Sequence, residues 1–107
     1  MKHYIDLHCD TLMRAALEGR REIGRMEQAM VDLERLRRGG CMAQFFAIFM
    51  PPPGYQGPPL PEDEAYIALL RDVLLETVRL HPEALALAGS AGELEDNRRA
   101  GKVSALL

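Results

Sequence analysis

No stretch of the 107 residues approaches the roughly 20 consecutive apolar residues that a membrane helix needs, which excludes a helical span. An apolar leader is missing too. Met1-Lys2 runs straight into an acid-containing strand pattern, so no signal peptide is expected. Cysteine is scarce: Cys9 and Cys41 are too few for a disulfide framework, and a reducing cytoplasm is the expected location. Nor does one sign of charge dominate. A formal net charge of −3 leaves no electrostatic case for nucleic acid or for a membrane surface as partner. The basic cluster Arg35, Arg37 and Arg38 stands just before Gly39-Gly40 and reads as cations complementing the negative end of a helix. With 48% hydrophobic residues and mixed charges, the chain reads as globular, and its length suits one domain rather than two. It shows no internal repeat, low-complexity tract or linker.

The residues from His3 to Cys9 alternate, with Ile5, Leu7 and Cys9 on one face and Tyr4, Asp6 and His8 on the other, as strand residues do. Thr11 to Glu18 reads as a short helix closed by Gly19, and Asp32 as the cap of a second over Leu33–Arg38, stopped at Gly39-Gly40. Cys41 to Met50 is nearly unbroken apolar sequence and suits a strand buried on both faces, as in a parallel sheet. Pro51 to Pro61 is a loop, because its prolines lack amide donors. Following the strand on what would be the active-site side, it is a candidate to border a substrate. Pro61 and the acids Glu62, Asp63 and Glu64 then open a helix expected to run to about His81, burying Tyr66, Leu69, Leu70, Val73 and Leu74. Ser90 and Glu93 have capping-box spacing for a helix closing near Gly101, with a minor strand at Leu85–Ala88 before it and a strand from Lys102 to Leu107 after it. Strand, helix, strand, helix, strand is the α/β pattern of a parallel sheet. A last strand with no helix after it suggests an incomplete domain over residues 1–107.

One segment carries metal chemistry. His8-Cys9-Asp10 sets an imidazole and a carboxylate two residues apart at the end of the first strand. Their Cα atoms are roughly 6.5–7 Å apart on the same side of a regular strand. Both can lean towards one divalent ion at about 2.0–2.2 Å. The bland alternative is a polar strand end, His8 bonded to a neighbour and Asp10 capping the next helix. Cys9 faces the other way, towards the covering helices, so a thiol nucleophile with His8 as its base is disfavoured. His3 and His81 have no partner at ligand spacing, and the six methionines read as core filler. Gln44 and Phe46 share a face of the second strand, but an apolar run hides its own phase.

Three segments in order resemble a known family. Ile5-Asp-Leu-His-Cys-Asp-Thr-Leu12 resembles the strand end with a D-x-H-x-D segment that opens the renal (membrane) dipeptidase family, zinc peptidase family M19. Val31 to Phe46 resembles its second block, in which a leucine- and arginine-containing turn, a glycine pair and a Gln-Phe strand follow one another. Gly101-Lys-Val-Ser-Ala-Leu-Leu107 resembles the strand leading to its third ligand. The resemblance implies a (β/α)8 barrel of the amidohydrolase kind, of which this chain supplies about three βα units of the N-terminal portion. A complete barrel takes about 250 residues.

It also implies two zinc ions and hydrolysis of dipeptides by a metal-activated hydroxide, in the full-length protein only. His8 and Asp10 match the paired ligands of the first strand. The bridging glutamate, two further histidines and a proton-handling aspartate are expected beyond Leu107, the glutamate at the tip of a third strand lying beside the first. No other catalytic residue is assigned, and dipeptide preference and oligomeric state, a homo-oligomer included, stay open. The alternative is a small non-catalytic α/β module used for packing or partner binding.

Overall fold

The structure, a computed structural model, describes residues 3–107; the Met1-Lys2 lead-in lies outside them. Four strands and four helices alternate in the expected order: β1 (Tyr4–Cys9), α1 (Thr11–Leu17), α2 (Leu33–Gly39), β2 (Cys41–Phe46), α3 (Asp63–Leu80), β3 (Leu85–Leu87), α4 (Ala91–Arg99) and β4 (Val103–Leu106). All pairings are parallel, in the order β1-β2-β4-β3, so the α/β class with a parallel sheet holds. One expectation about neighbours does not. The strand of Lys102–Leu107 lies beside β2 and β3, and β2 separates it from β1. The reason is that β2 is buried on both faces and takes a neighbour on each edge.

Local chemistry places the elements. Asp32 is the N-cap of α2, its carboxylate accepting from the Arg35 amide at 2.8 Å. The helix ends at Gly40, whose φ of 79° is open to glycine without strain. The chain leaves that turn directly into β2. Ser90 caps α4 by accepting from the Glu93 amide at 3.1 Å, and the Glu93 carboxylate reaches back to the Gly89 amide rather than to that of Ser90. In α3 the buried side chains are Tyr66, Leu70, Val73, Leu74 and Thr77. They join Leu12 and Ala15 of α1, Leu33 and Leu36 of α2, and Cys9, Phe46, Leu85, Val103 and Ala105 of the sheet in one core. Thr77 ties the α1–α2 connection to that core, its hydroxyl accepting from the buried Ile23 amide and donating to the Val73 carbonyl.

β2 ends at Phe46, four residues before the apolar run does. Its neighbour β1 ends at Cys9 and turns into α1, so the chain beyond Phe46 has no strand to pair with; the last tie is the Ala47 amide donating to the Cys9 carbonyl at 3.0 Å. β1 is irregular as well. Its register runs Asp6↔Gln44 and then Cys9↔Phe46, three steps against two. Simple alternation fails there: Cys9 is buried, whereas Ile5 and Leu7 are exposed.

Cys9 and Cys41 are free and buried. Register pairs Cys41 with Tyr4 and Cys9 with Phe46, at opposite ends of the β1–β2 pair, so no bridge can form between them. Burial pushes both thiols above the ordinary range, for Cys9 against hydrogen bonds to Thr11 that pull the other way. Raised values mean less thiolate at neutral pH. Iodoacetamide at pH 8 should therefore label both at least about tenfold more slowly in the folded protein than in urea. Mass spectrometry of the labelled chains checks this, and equal rates would refute it.

Asp32 gives a second test. It is 1% exposed, and its other oxygen accepts from the Met26 amide at 2.8 Å, so Asp32→Ala removes a cap and orphans a buried N–H together. Urea unfolding should show a loss of roughly 2–4 kcal/mol, about 1 from the cap and 1–3 from the orphaned donor. A change within about 0.5 kcal/mol, the range of ordinary surface substitutions, would contradict this account.

Candidate metal centre

The C-terminal ends of β1 and β2 present the chemistry-bearing side chains. On either side of Asp10 the chain is held by bonds that do not use its carboxylate. The Cys9 carbonyl accepts from Ala47, and the Thr11 hydroxyl donates to the Val31 carbonyl at 2.9 Å. Asp10 occupies the N-cap position of α1, with φ −103° and ψ 24°, yet its side chain makes no cap hydrogen bond. The capping role that would explain this aspartate away is absent. Its carboxylate turns to His8 instead, Oδ1 lying 3.0 Å from Nε2.

That contact is a close approach rather than an aligned hydrogen bond, because Oδ1 is shielded from water and has no hydrogen-bond partner. An orphaned carboxylate oxygen beside an imidazole nitrogen fits a metal. Two atoms bound to one tetrahedral ion at about 2.0–2.2 Å lie roughly 3.3–3.5 Å apart, a few tenths from the observed separation. Both side chains remain reachable, at 60% and 42% exposure, so an ion could enter without unfolding the strand end. Among the described residues no group of three or more His, Cys, Asp or Glu side chains forms a site. The sequence-predicted pair is thus brought together, and it is a pair only.

The surroundings contain residues that the sequence did not connect with the pair. Asp6 lies opposite Gln44, and its Oδ2 accepts from Gln44 Nε2 at 2.6 Å. Tyr66 of α3 donates its hydroxyl to the Phe49 carbonyl at 2.6 Å, and its pKa is raised by burial first and then by the charge of Asp10. Tyr55 contributes in the same direction. Loop residues Pro51, Tyr55 and Pro58 line a hollow of about 300 Å³ together with Tyr66. A tyrosine in a helix stripe is ordinary core sequence, and only its carbonyl partner distinguishes it.

Cys9 itself is not a nucleophile here, being buried with a raised pKa. His3 is exposed, and His81 is locally bonded to Glu22 at 3.0 Å, as its lack of a ligand-spaced partner suggests. A larger cavity of about 610 Å³ opens at the other end of the sheet, by Cys41 and Val103. Of its two histidines His81 is engaged with Glu22, its acid Glu34 is engaged with Arg25, and His3 joins no group of three or more metal-ligating side chains among the described residues.

Similar proteins point to one family. The sequence model of the membrane dipeptidase family, peptidase family M19, matches residues 2–107. Dipeptidase ataJ of Aspergillus terreus is 31% identical over 94% of this chain, which spans 24% of that protein. The crystal structure of a dipeptidase AC, described as a metallopeptidase of family M19, is similar with a TM-score of 0.67 and 27% identity, over 94% of this chain and 32% of that one. The chain therefore spans about a quarter to a third of the relatives it matches. Among the described residues no helix is long and apolar enough to cross a membrane. With a parallel α/β sheet, a His-x-Asp pair at its strand ends and the family model matched from residue 2 to residue 107, the chain belongs to the membrane dipeptidase family, peptidase family M19.

Proposed function

We propose that this chain provides part of a zinc-dependent dipeptidase, with His8 and Asp10 as the first pair of metal ligands. The observation that carries the reading is the orphaned, shielded Asp10 Oδ1 held 3.0 Å from His8 Nε2. Family membership adds metallopeptidase chemistry and a dipeptide substrate. Zinc, when bound, supplies Lewis acidity and a nucleophile at neutral pH. The chain's own contribution is to hold two donors. His8 offers an imidazole nitrogen and Asp10 a carboxylate freed from capping, while the Cys9 and Thr11 bonds keep the backbone between β1 and α1 from drifting. Tyr66 is not a spare acid, since its proton is committed to the Phe49 carbonyl.

Residues 1–107 are read as a single incomplete domain, the N-terminal portion of a larger (β/α)8 barrel. Leu7 is 74% exposed and Ile5 45% exposed on β1, an edge strand, and such apolar edges are ordinarily covered. Two ions per complete site and a reducing compartment belong to the same reading. Two ligands are one fewer than the three protein ligands of catalytic zinc, so these 107 residues alone are expected to be inert.

In the full-length product, His8→Ala and Asp10→Ala should each remove metal and dipeptide hydrolysis together, with the circular dichroism spectrum retained. The losses should exceed the roughly 10–100-fold typical of removing an outer hydrogen-bond partner. Metal analysis beside a dipeptide assay decides it. Parental zinc content with parental turnover in either variant would overturn the assignment, and a metal-free, inactive parent would favour the non-catalytic module.

A further inference from the structure

Gln44 lies 38 residues from Asp6 in sequence and opposite it in register. It is completely buried. Both amide hydrogens are used, one towards Asp6 Oδ2 at 2.6 Å and one towards the Phe45 carbonyl at 3.0 Å, and its Oε1 is buried with no partner. The amide orientation is not arbitrary. Asp6 as a carboxylate only accepts, so the nitrogen must face it and the oxygen must take the unpartnered side. A buried acceptor left without a donor opposes stability, and an apolar pair across β1 and β2 would avoid that loss.

What the pair gains is position. The Asp6↔Gln44 match is the last regular one before the register slips by a residue on the way to Cys9↔Phe46. A bulge of this kind re-aims the side chains that follow it, and the side chains that follow are His8 and Asp10. We propose that Gln44 is a positioning residue for the metal pair, acting through Asp6: the amide–carboxylate bond fixes where the bulge in β1 begins and so where His8 and Asp10 point. This rests on the reading of His8 and Asp10 as ligands. Gln44 touches neither of them, and its role is in holding the strand.

The test uses the full-length product and measures zinc affinity by competition with a chelating dye, alongside hydrogen exchange of the residue 7–10 amides in the metal-free protein. Gln44→Met keeps the side chain's length and removes the amide; affinity should fall roughly 10–100-fold, the usual effect of losing a group that orients a ligand. The amides of residues 7–10 should exchange faster in that variant. Asp6→Ala cuts the same bond from the partly exposed side and should lower affinity equally, which keeps the test open where Gln44→Met fails to fold. Asp6→Asn retains an acceptor for Gln44 and should bind zinc within about threefold of the parent if the hydrogen bond is what matters. His8→Ala serves as the control. If His8→Ala retains zinc, the ligand assignment itself is wrong. If His8→Ala loses zinc while Gln44→Met and Asp6→Ala bind as the parent does, the positioning role is overturned and the ligands stand. If Asp6→Asn falls as far as Asp6→Ala, the charge of Asp6 acts on the metal directly, and the role given to Gln44 is likewise overturned.

Discussion

The parallel pairing of β1 with β2 bears the greatest weight in this structure, because among the described residues β2 is the one strand beside β1. An edge strand of six residues gains order from one ladder alone, and here that ladder ends with the Ala47 amide on the Cys9 carbonyl, one residue before Asp10. Whatever places β2 therefore places His8 and Asp10. β2 in turn starts from the left-handed turn at Gly40, and α2 before it is anchored by Asp32, whose two oxygens hold the Arg35 and Met26 amides. The route from the Asp32 cap to the His8–Asp10 pair is a continuous series of backbone constraints running through β2, which is buried on both faces.

Much of this framework is legible in the sequence because its signals are local. Asp32, Gly40, Ser90 and the acids after Pro61 act within one turn of themselves, and the helices begin and end within a residue or two of where those side chains predict. The extent of β2 is legible only in part. An apolar run states that Cys41 to Met50 prefers burial, but strand length depends on a partner 35 or so residues earlier, and that partner ends first. The bulge in β1 is likewise hidden. Alternation assumes one residue per step on both strands, and nothing in Ile5-Asp6-Leu7-His8 signals that β2 takes a shorter path.

The candidate site divides along the same line. His8 and Asp10 are visible as a pair because two-residue spacing is a local property. The competing role for Asp10 as a helix cap is equally local, and the sequence leaves both standing. Only the side-chain positions separate them, by leaving the cap unmade and bringing Oδ1 to the imidazole. Asp6 and Gln44 are each visible in the sequence, but the bond that joins them spans two strands and leaves no local signal.

The contrast between these two carboxylates shows how structural and chemical work are kept apart at the strand end. Asp6 is tied to a buried amide and so has a fixed direction, with one oxygen already occupied. Asp10 has its neighbours' backbone held for it by Ala47 and Val31, which leaves its own oxygens without structural duty. A carboxylate needed as a cap could bind an ion only by giving up that cap, typically about 1 kcal/mol, and the helix would weaken as the site filled. On the proposed function, Asp10 would exchange His8 for a metal with no loss to the helix, because α1 forms without its help. The proximity to Tyr66 points the same way: the phenol is buried near a negative charge and stays protonated, fixing the Phe49 carbonyl instead of competing for the ion. On that function, a strand end whose two donors hold nothing else together would bind and release an ion while the fold around it stays in place.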